Sequence, residues 1–221
     1  MTTKVAPKKL KASKLRITLR DGRELQYHVP LEEVSQLNLR DLIPPDALDR
    51  PLEVEIGCGK GEFIARRAAA HPGRYFVGID RRADRFDLTE RKLTRLAVEK
   101  NWTLLNEDAR GFLQGGLPPL AMLHVYHPDP WPKARHHKNR FFRSPDAKEW
   151  ASAIVKDGSL RIATDHREYF EEILDIVASW ELFELEALFV KQYHMGPPLT
   201  HFEGIFLRKQ EPVYKAVYRR R

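Results

Sequence analysis

Cysteine is nearly missing from this chain of 221 residues. The one thiol, Cys58, excludes an intramolecular disulfide framework and any zinc site built on several thiolates. No run of 18 apolar residues occurs and no signal-peptide apolar core is recognisable, so no membrane span or secretory route is expected, and the cytosol is the expected compartment. Internal repeats and low-complexity tracts are also missing. Acid is missing from Met1 to Arg20, which carries Lys4, Lys8, Lys9, Lys11, Lys14, Arg16 and Arg20. Its first dozen residues are expected to be a cationic arm, with an organelle transit peptide as the alternative reading.

What is present is enough apolar material for one good core. Hydrophobic residues make up 42% of the chain, and Lys plus Arg exceed Asp plus Glu by 38 to 31, a net charge of +7. Such an excess favours a polyanionic partner, RNA or DNA before a membrane surface, although charge alone does not separate the three.

Alternation of Leu15, Ile17 and Leu19 before Asp21-Gly22, and of Leu25, Tyr27 and Val29 after it, predicts a β-hairpin. With the arm it makes a small N-terminal appendage, residues 1–50, ending in a linker at Leu42-Ile43-Pro44-Pro45. The main domain is expected over residues 51–221. Short apolar runs there alternate with amphipathic stretches: strands over 52–56, 75–79, 102–105, 120–126 and 159–163, and helices over 61–71, 83–100, 109–113, 145–155 and 167–180. This alternation is the pattern of an α/β fold with a mostly parallel sheet. After Glu181 the runs 182–190, 205–207 and 213–218 look strand-like without an intervening helix, which predicts an antiparallel C-terminal hairpin.

Two segments carry chemistry. The first is Glu55-Ile56-Gly57-Cys58-Gly59-Lys60-Gly61, a glycine turn at a strand end leading into a helix, where the backbone can approach a ligand closely. Asp80 ends the next strand, where a carboxylate can accept from both ribose hydroxyls. A dinucleotide would bring a pyrophosphate to this turn, and Glu55 opposes one. S-adenosylmethionine (SAM), with its sulfonium and ammonium, suits acidic neighbours, and Asp108 adds a third carboxylate at a third strand end. Cys58 reads as a small residue in a tight turn rather than a nucleophile. The second segment runs from His127 to Arg140, with Asp129 between two prolines, then Trp131, then Lys133, Arg135, His136, His137, Lys138 and Arg140, with no acid before Asp146. Prolines stiffen this loop, and a basic loop beside a cofactor site points to a nucleobase substrate. His127, His136 and His137 make an awkward metal set with no thiolate nearby, so no metal is expected, and the paired His136 and His137 beside Arg and Lys more naturally donate to phosphate.

These residues resemble the bacterial tRNA (guanine-N7)-methyltransferases from about Pro51 to the C-terminus. The resemblance rests on the glycine motif, on Asp129-Pro130-Trp131-Pro132-Lys133 followed by Arg135-His136-His137-Lys138, on Ala163-Thr164-Asp165, and on Thr200-His201-Phe202-Glu203. It implies a Rossmann-like, SAM-dependent methyltransferase fold and transfer of a methyl group to guanine N7 in the tRNA variable loop. It also implies that Glu55, Gly57, Gly59, Asp80, Asp108 and Asp129 face the cofactor, and that Lys133, Asp165, Thr200, His201, Phe202 and Glu203 face the guanosine. The stretch Arg135, His136, His137, Lys138, Asn139 and Arg140 corresponds to the RNA-contacting segment. No protein partner is implied, and the chain is expected to be a monomer or homodimer. The chain departs from the family at Lys156-Asp157-Gly158, where Pro-Gly-Gly is usual, at Asn139, where a base is usual, and at Arg208-Lys209-Gln210-Glu211, which lacks a turn glycine.

Guanine N7 loses no proton on methylation, so the step is a displacement that needs no general base. Aligning its atoms is worth roughly 7 to 11 kcal/mol in well-oriented systems. Asp129 is the expected catalytic residue, orienting and stabilising; which of Asp129 and Asp165 reads the guanine edge and which the cofactor amine stays open. Trp131 either stacks on a flipped base or packs the loop. A nicotinamide-dependent oxidoreductase, a non-catalytic RNA-binding module and a methyltransferase of another acceptor are the alternatives.

Overall fold

The computed structural model describes residues 38–97, 101–113, 116–192 and 198–221, together with the backbone of 13–18 and 24–29. Along the chain run β1 (Ser13–Thr18), β2 (Glu24–Val29), β3 (Leu52–Ile56), α1 (Glu62–Ala70), β4 (Tyr75–Ile79), α2 (Ala83–Leu96), β5 (Trp102–Leu105), β6 (Leu120–Tyr126), α3 (Pro145–Ser152), β7 (Ile154–Thr164), α4 (Arg167–Ser179), β8 (Phe183–Lys191), α5 (His201–Arg208) and β9 (Val213–Arg220). The strands lie in the order β2-β1-β5-β4-β3-β6-β7-β9-β8.

Seven of them, β3 to β9, form the mixed sheet expected of an α/β fold. From β5 to β7 all neighbours are parallel, and β9 lies antiparallel between β7 and β8. β1 pairs antiparallel with β2 and with β5. The cationic arm, the turn predicted at Asp21-Gly22 and residues 98–100 of the predicted second helix lie outside the described residues. None of the described helices is long and apolar enough to cross a membrane.

Side chains alternate across the sheet with period two. On one face Ile64, Phe86 and Leu93 of α1 and α2 pack on Phe76, Trp102 and Leu104. On the other, α3 and α4 cover Val54, Val77, Leu123 and Val125 with Trp150, Tyr169 and Ile173. The stretch expected to be a linker is part of this second core: Leu39, Ile43 and Ala47 are buried in it. Their apolar side chains have no other place to shed water, and Pro44 and Pro45 serve a packed turn instead of a free connection.

Three further expectations change. Helix α3 ends at Ser152 because Ile154 already pairs with Leu120 as the start of β7. The turn expected at 156–158 is accommodated inside β7, where Asp157 takes φ 62° and the register with β6 shifts. Residues 205–207, read as strand, belong to α5, so β8 and β9 are antiparallel neighbours joined through a helix rather than as a hairpin. A three-residue apolar run cannot distinguish the two periods, but Thr200 and Glu203 stand at the spacing of a helix N-terminus.

Candidate active site

The parallel strands put their carboxyl ends on one edge. The chain builds outward from β3 to β4 and β5, then crosses to β6 and β7 on the other side, which makes β3/β6 the switch point at which open α/β sheets bind their ligands. Glu55 stands at the end of β3, followed by a loop in which Gly57, Gly59 and Gly61 all have positive φ. Glycine is needed at Gly61 on a second count, since a Cβ there would lie 2.5 Å from the Thr89 side chain of α2. The Gly59 N–H donates to Asp80 Oδ2 at 2.8 Å, and the Arg82 N–H to Asp80 Oδ1 at 2.9 Å. One carboxylate therefore ties two strand-end turns together. Asn106 supports the same corner, donating to the Asp80 carbonyl at 2.9 Å. Cys58 is buried, and burial, followed by Glu55 and Asp80, pushes its thiol up, which keeps it a protonated packing group.

Glu55 is 4% exposed and its Oε2 has no hydrogen-bond partner. Burial, then the nearby Asp80 carboxylate, pushes its pKa up to about 8, against a hydrogen bond from the Ile64 backbone. A buried carboxylate with one oxygen unpartnered, beside an open glycine loop, matches a cationic ligand and opposes a phosphate. The residues present fit SAM.

Asp108 caps a single 3₁₀ turn at Ala109–Phe112 and binds Arg110 through both oxygens at 2.9 and 2.6 Å. Burial works against its charge, but the Arg110 hydrogen bonds outweigh it and hold the carboxyl below its ordinary value. Asp129, after β6, is exposed and ion-paired with the exposed Arg81 at 3.1 Å. Trp131 adopts φ 44°, is partly covered and meets His136 edge-on at 5.9 Å. Lys133, Arg135, Lys138 and Asn139 are exposed around it, whereas His136 and His137 are partly covered. Arg140 does not share that surface. It is 0% exposed, donates to the Pro130 carbonyl at 2.8 Å and to Glu168 at 3.0 Å, pairs with Glu172, and lies 4.7 Å over the Tyr169 ring. A guanidinium so engaged anchors the loop and is withdrawn from phosphate.

The third part of the site is α5. Thr200 caps it, its hydroxyl accepting from the Glu203 N–H at 3.0 Å. Glu203 is 0% exposed and accepts from Lys191 at 2.8 Å and from Lys215 at 2.8 and 2.9 Å. Burial raises its pKa, and the two ammonium groups more than reverse this, so it is ionised. A carboxylate enclosed by two lysines fixes the helix. His201 Nε2 lies 3.3 Å from Lys60 in the glycine loop, and the Arg85 guanidinium lies 5.5 Å from the Phe202 ring centroid, so the first turn of α5 reaches across to α1 and α2. Asp165, after β7, receives a hydrogen bond from His127 Nδ1 at 3.2 Å.

A family model described as a putative methyltransferase matches residues 49–216. The chain belongs to this methyltransferase family. Within the family's reach, the tRNA (guanine-N(7)-)-methyltransferase of Thiobacillus denitrificans is 34% identical over 194 residues, covering 84% of this chain and 82% of that protein. The protein of the same name from Nitrosospira multiformis is 31% identical over 173 residues, covering 77% and 75%. Among solved structures, a 16S rRNA (adenine(1408)-N(1))-methyltransferase from Catenulisporales acidiphilia superposes with a TM-score of 0.57 at 14% identity, covering 94% of this chain and 97% of that one. Likeness at that identity shows the shared class I methyltransferase fold.

Other polar residues at the site were not singled out in the sequence. Arg81 faces Asp129. Behind Glu55, on the same face, Glu53 accepts from Arg67, Arg74 and His124, and His124 Nδ1 lies 3.0 Å from the Tyr126 hydroxyl. Burial pushes Glu53 up, but the hydrogen bonds of His124 and Arg67 outweigh it and bring it to about 2, while burial keeps His124 low in spite of Glu53. The only local hint was a pair of acids, Glu53 and Glu55, placed two apart inside an apolar strand.

Proposed function

We propose that the protein transfers a methyl group from SAM to N7 of a guanine in tRNA, in the variable loop, forming 7-methylguanosine. The observation that carries this reading is the buried Glu55 carboxylate, its Oε2 unpartnered, beside the glycine loop and opening onto the edge that bears the exposed Lys133, Arg135 and Lys138. The names of relatives matching most of both chains support it.

Bound SAM supplies an electrophilic methyl group. Glu55, Gly57, Gly59, Asp80, Asp108 and Asp129 hold the cofactor, with Asp80 preset by the two backbone donors and Asp129 free to leave Arg81. Lys133, Asp165, His201 and Phe202 face the guanosine, and Thr200 and Glu203 serve it indirectly by fixing α5. Arg135, His136, His137, Lys138 and Asn139 meet the RNA backbone. Because N7 carries an in-plane lone pair and no hydrogen, no residue has to remove a proton, and a carboxylate near the purine favours the cationic ring as charge arrives. Residues 51–221 constitute the catalytic domain. Residues 1–50 constitute the N-terminal appendage, of which Leu39, Ile43 and Ala47 pack on that domain. The reading places the enzyme in the cytosol, as a monomer or homodimer.

Incubation with methyl-labelled SAM and an unmodified tRNA transcript, followed by cleavage specific for 7-methylguanosine, tests the proposal. Label at one guanine, abolished by Asp129→Ala, is the expected result. SAM binding without transfer to tRNA would overturn it.

A further inference from the structure

One buried polar group at the site is used by none of these roles. His127 follows β6, and its side chain is 4% exposed. Its Nδ1 faces Asp165 Oδ1 at 3.2 Å, while its Nε2 is buried with no hydrogen-bond partner. A carboxylate oxygen accepts, so the ring nitrogen facing it carries the hydrogen, and in the neutral ring Nε2 is left a bare acceptor. The ring stacks on Phe206 at 5.4 Å and lies 6.2 Å from Phe202, both on α5. Its backbone is held as firmly: φ is 52°, in the left-handed region, immediately before a proline, and its N–H donates to the Ala163 carbonyl at 2.7 Å. Residues kept in so uncommon a conformation cluster where the surroundings fix them for a task.

We propose that His127 is a further guanosine-contacting residue whose Nε2 accepts a hydrogen bond from the Watson-Crick edge of the target guanine, with Asp165 fixing its tautomer through Nδ1. This inference rests on the proposed guanine-N7 reaction. Guanine presents a donor on that edge at N1–H, and Nε2, its tautomer fixed by Asp165 on the opposite ring nitrogen, offers it one bare acceptor. Adenine presents an acceptor at N1, which would face the lone pair of Nε2. The Phe202 ring, 36% exposed, is the one of the two stacked rings able to yield to an entering base. The bare Nε2 therefore favours guanine over adenine while N7, on the opposite edge of the purine, is left to the methyl donor.

The test compares wild type, His127→Phe and His127→Gln. Phenylalanine keeps the ring stack and removes the acceptor, whereas glutamine keeps an acceptor of similar reach. For each protein, kcat/KM on an unmodified tRNA transcript, SAM affinity by calorimetry and Tm are measured. The expected result is a fall in kcat/KM of about 10- to 100-fold for His127→Phe, the scale of one buried donor left unpaired. SAM affinity and Tm stay at wild-type values, and His127→Gln recovers most of the loss. Wild-type kcat/KM in His127→Phe would overturn the proposal, as would equal losses in both variants accompanied by a lowered Tm, the signature of a packing residue. A wild-type protein that binds SAM and leaves tRNA unmethylated would overturn the guanine-N7 reading itself, and this inference with it.

Discussion

Glu55 shows how one side chain couples the site to pH. Its pKa, raised to about 8 in the ligand-free protein, lies above the ordinary 4.5 of the unfolded chain. Between those values the folded state holds a proton that the unfolded state has released, so this group's contribution to stability is full below about 4.5 and is lost as pH rises through about 8. A cationic cofactor selects the ionised form and works in the opposite direction. SAM affinity should accordingly rise with pH between about 6 and 8, by at most roughly tenfold per unit, and calorimetry on Glu55→Gln should show a weaker and flatter profile. Glu55 was legible in the sequence because its position at a strand end beside a glycine loop is a local fact. Arg140 was not: nothing in a basic run says which guanidinium turns inward, since its partners Glu168 and Glu172 stand on α4, about 30 residues further along.

Elements carry the site through their junctions. Helix α5 hangs on Glu203, whose carboxylate is shared by Lys191 on β8 and Lys215 on β9. Replacing Glu203 by Ala leaves two ammonium groups without their common partner, and chemical denaturation should register a loss of about 3–5 kcal/mol. Methyl transfer should fall with it as the first turn of α5 loosens. The contact between α1 and α2 at Gly61 gives a second test. Gly61→Ala forces a Cβ against Thr89 in a left-handed residue, and the expected destabilisation is about 1–3 kcal/mol, with SAM binding weakened as the loop shifts. Most strands were legible because apolar runs bounded by turn residues depend on near neighbours. Helix α5 was misread because its apolar run is too short to reveal a period, and its capping residues had been assigned to substrate instead.

At the scale of the whole molecule, the proposed function makes positive charge the feature that meets RNA. Lys133, Arg135 and Lys138 are exposed on the loop after β6, and Arg140 beneath them is the loop's anchor. Arg135→Ala should weaken tRNA binding, reduce the slope of log affinity against log salt by about 1, and leave SAM affinity and Tm unchanged. Arg140→Ala should lower Tm in a thermal melt, because Glu168, Glu172 and the Pro130 carbonyl lose their shared donor. An Arg140→Ala variant of wild-type Tm and reduced salt slope would reverse the roles given to the two arginines.

The sequence by itself determined the α/β class, the strand carrying the glycine loop, the three strand-end carboxylates and the basic loop beside them. Each depends on residue chemistry and on neighbours a few positions away, and the parallel order follows from alternating strands and helices. Only the tertiary structure decided which polar groups are enclosed and with whom. Glu203 meets Lys215, Arg140 meets Glu172, and His127 meets Asp165 with its other nitrogen unpaired. Burial and pairing are settled by packing between segments 12 to 38 residues apart, and a short polar side chain looks the same in sequence whether it will face water, a lysine or a base.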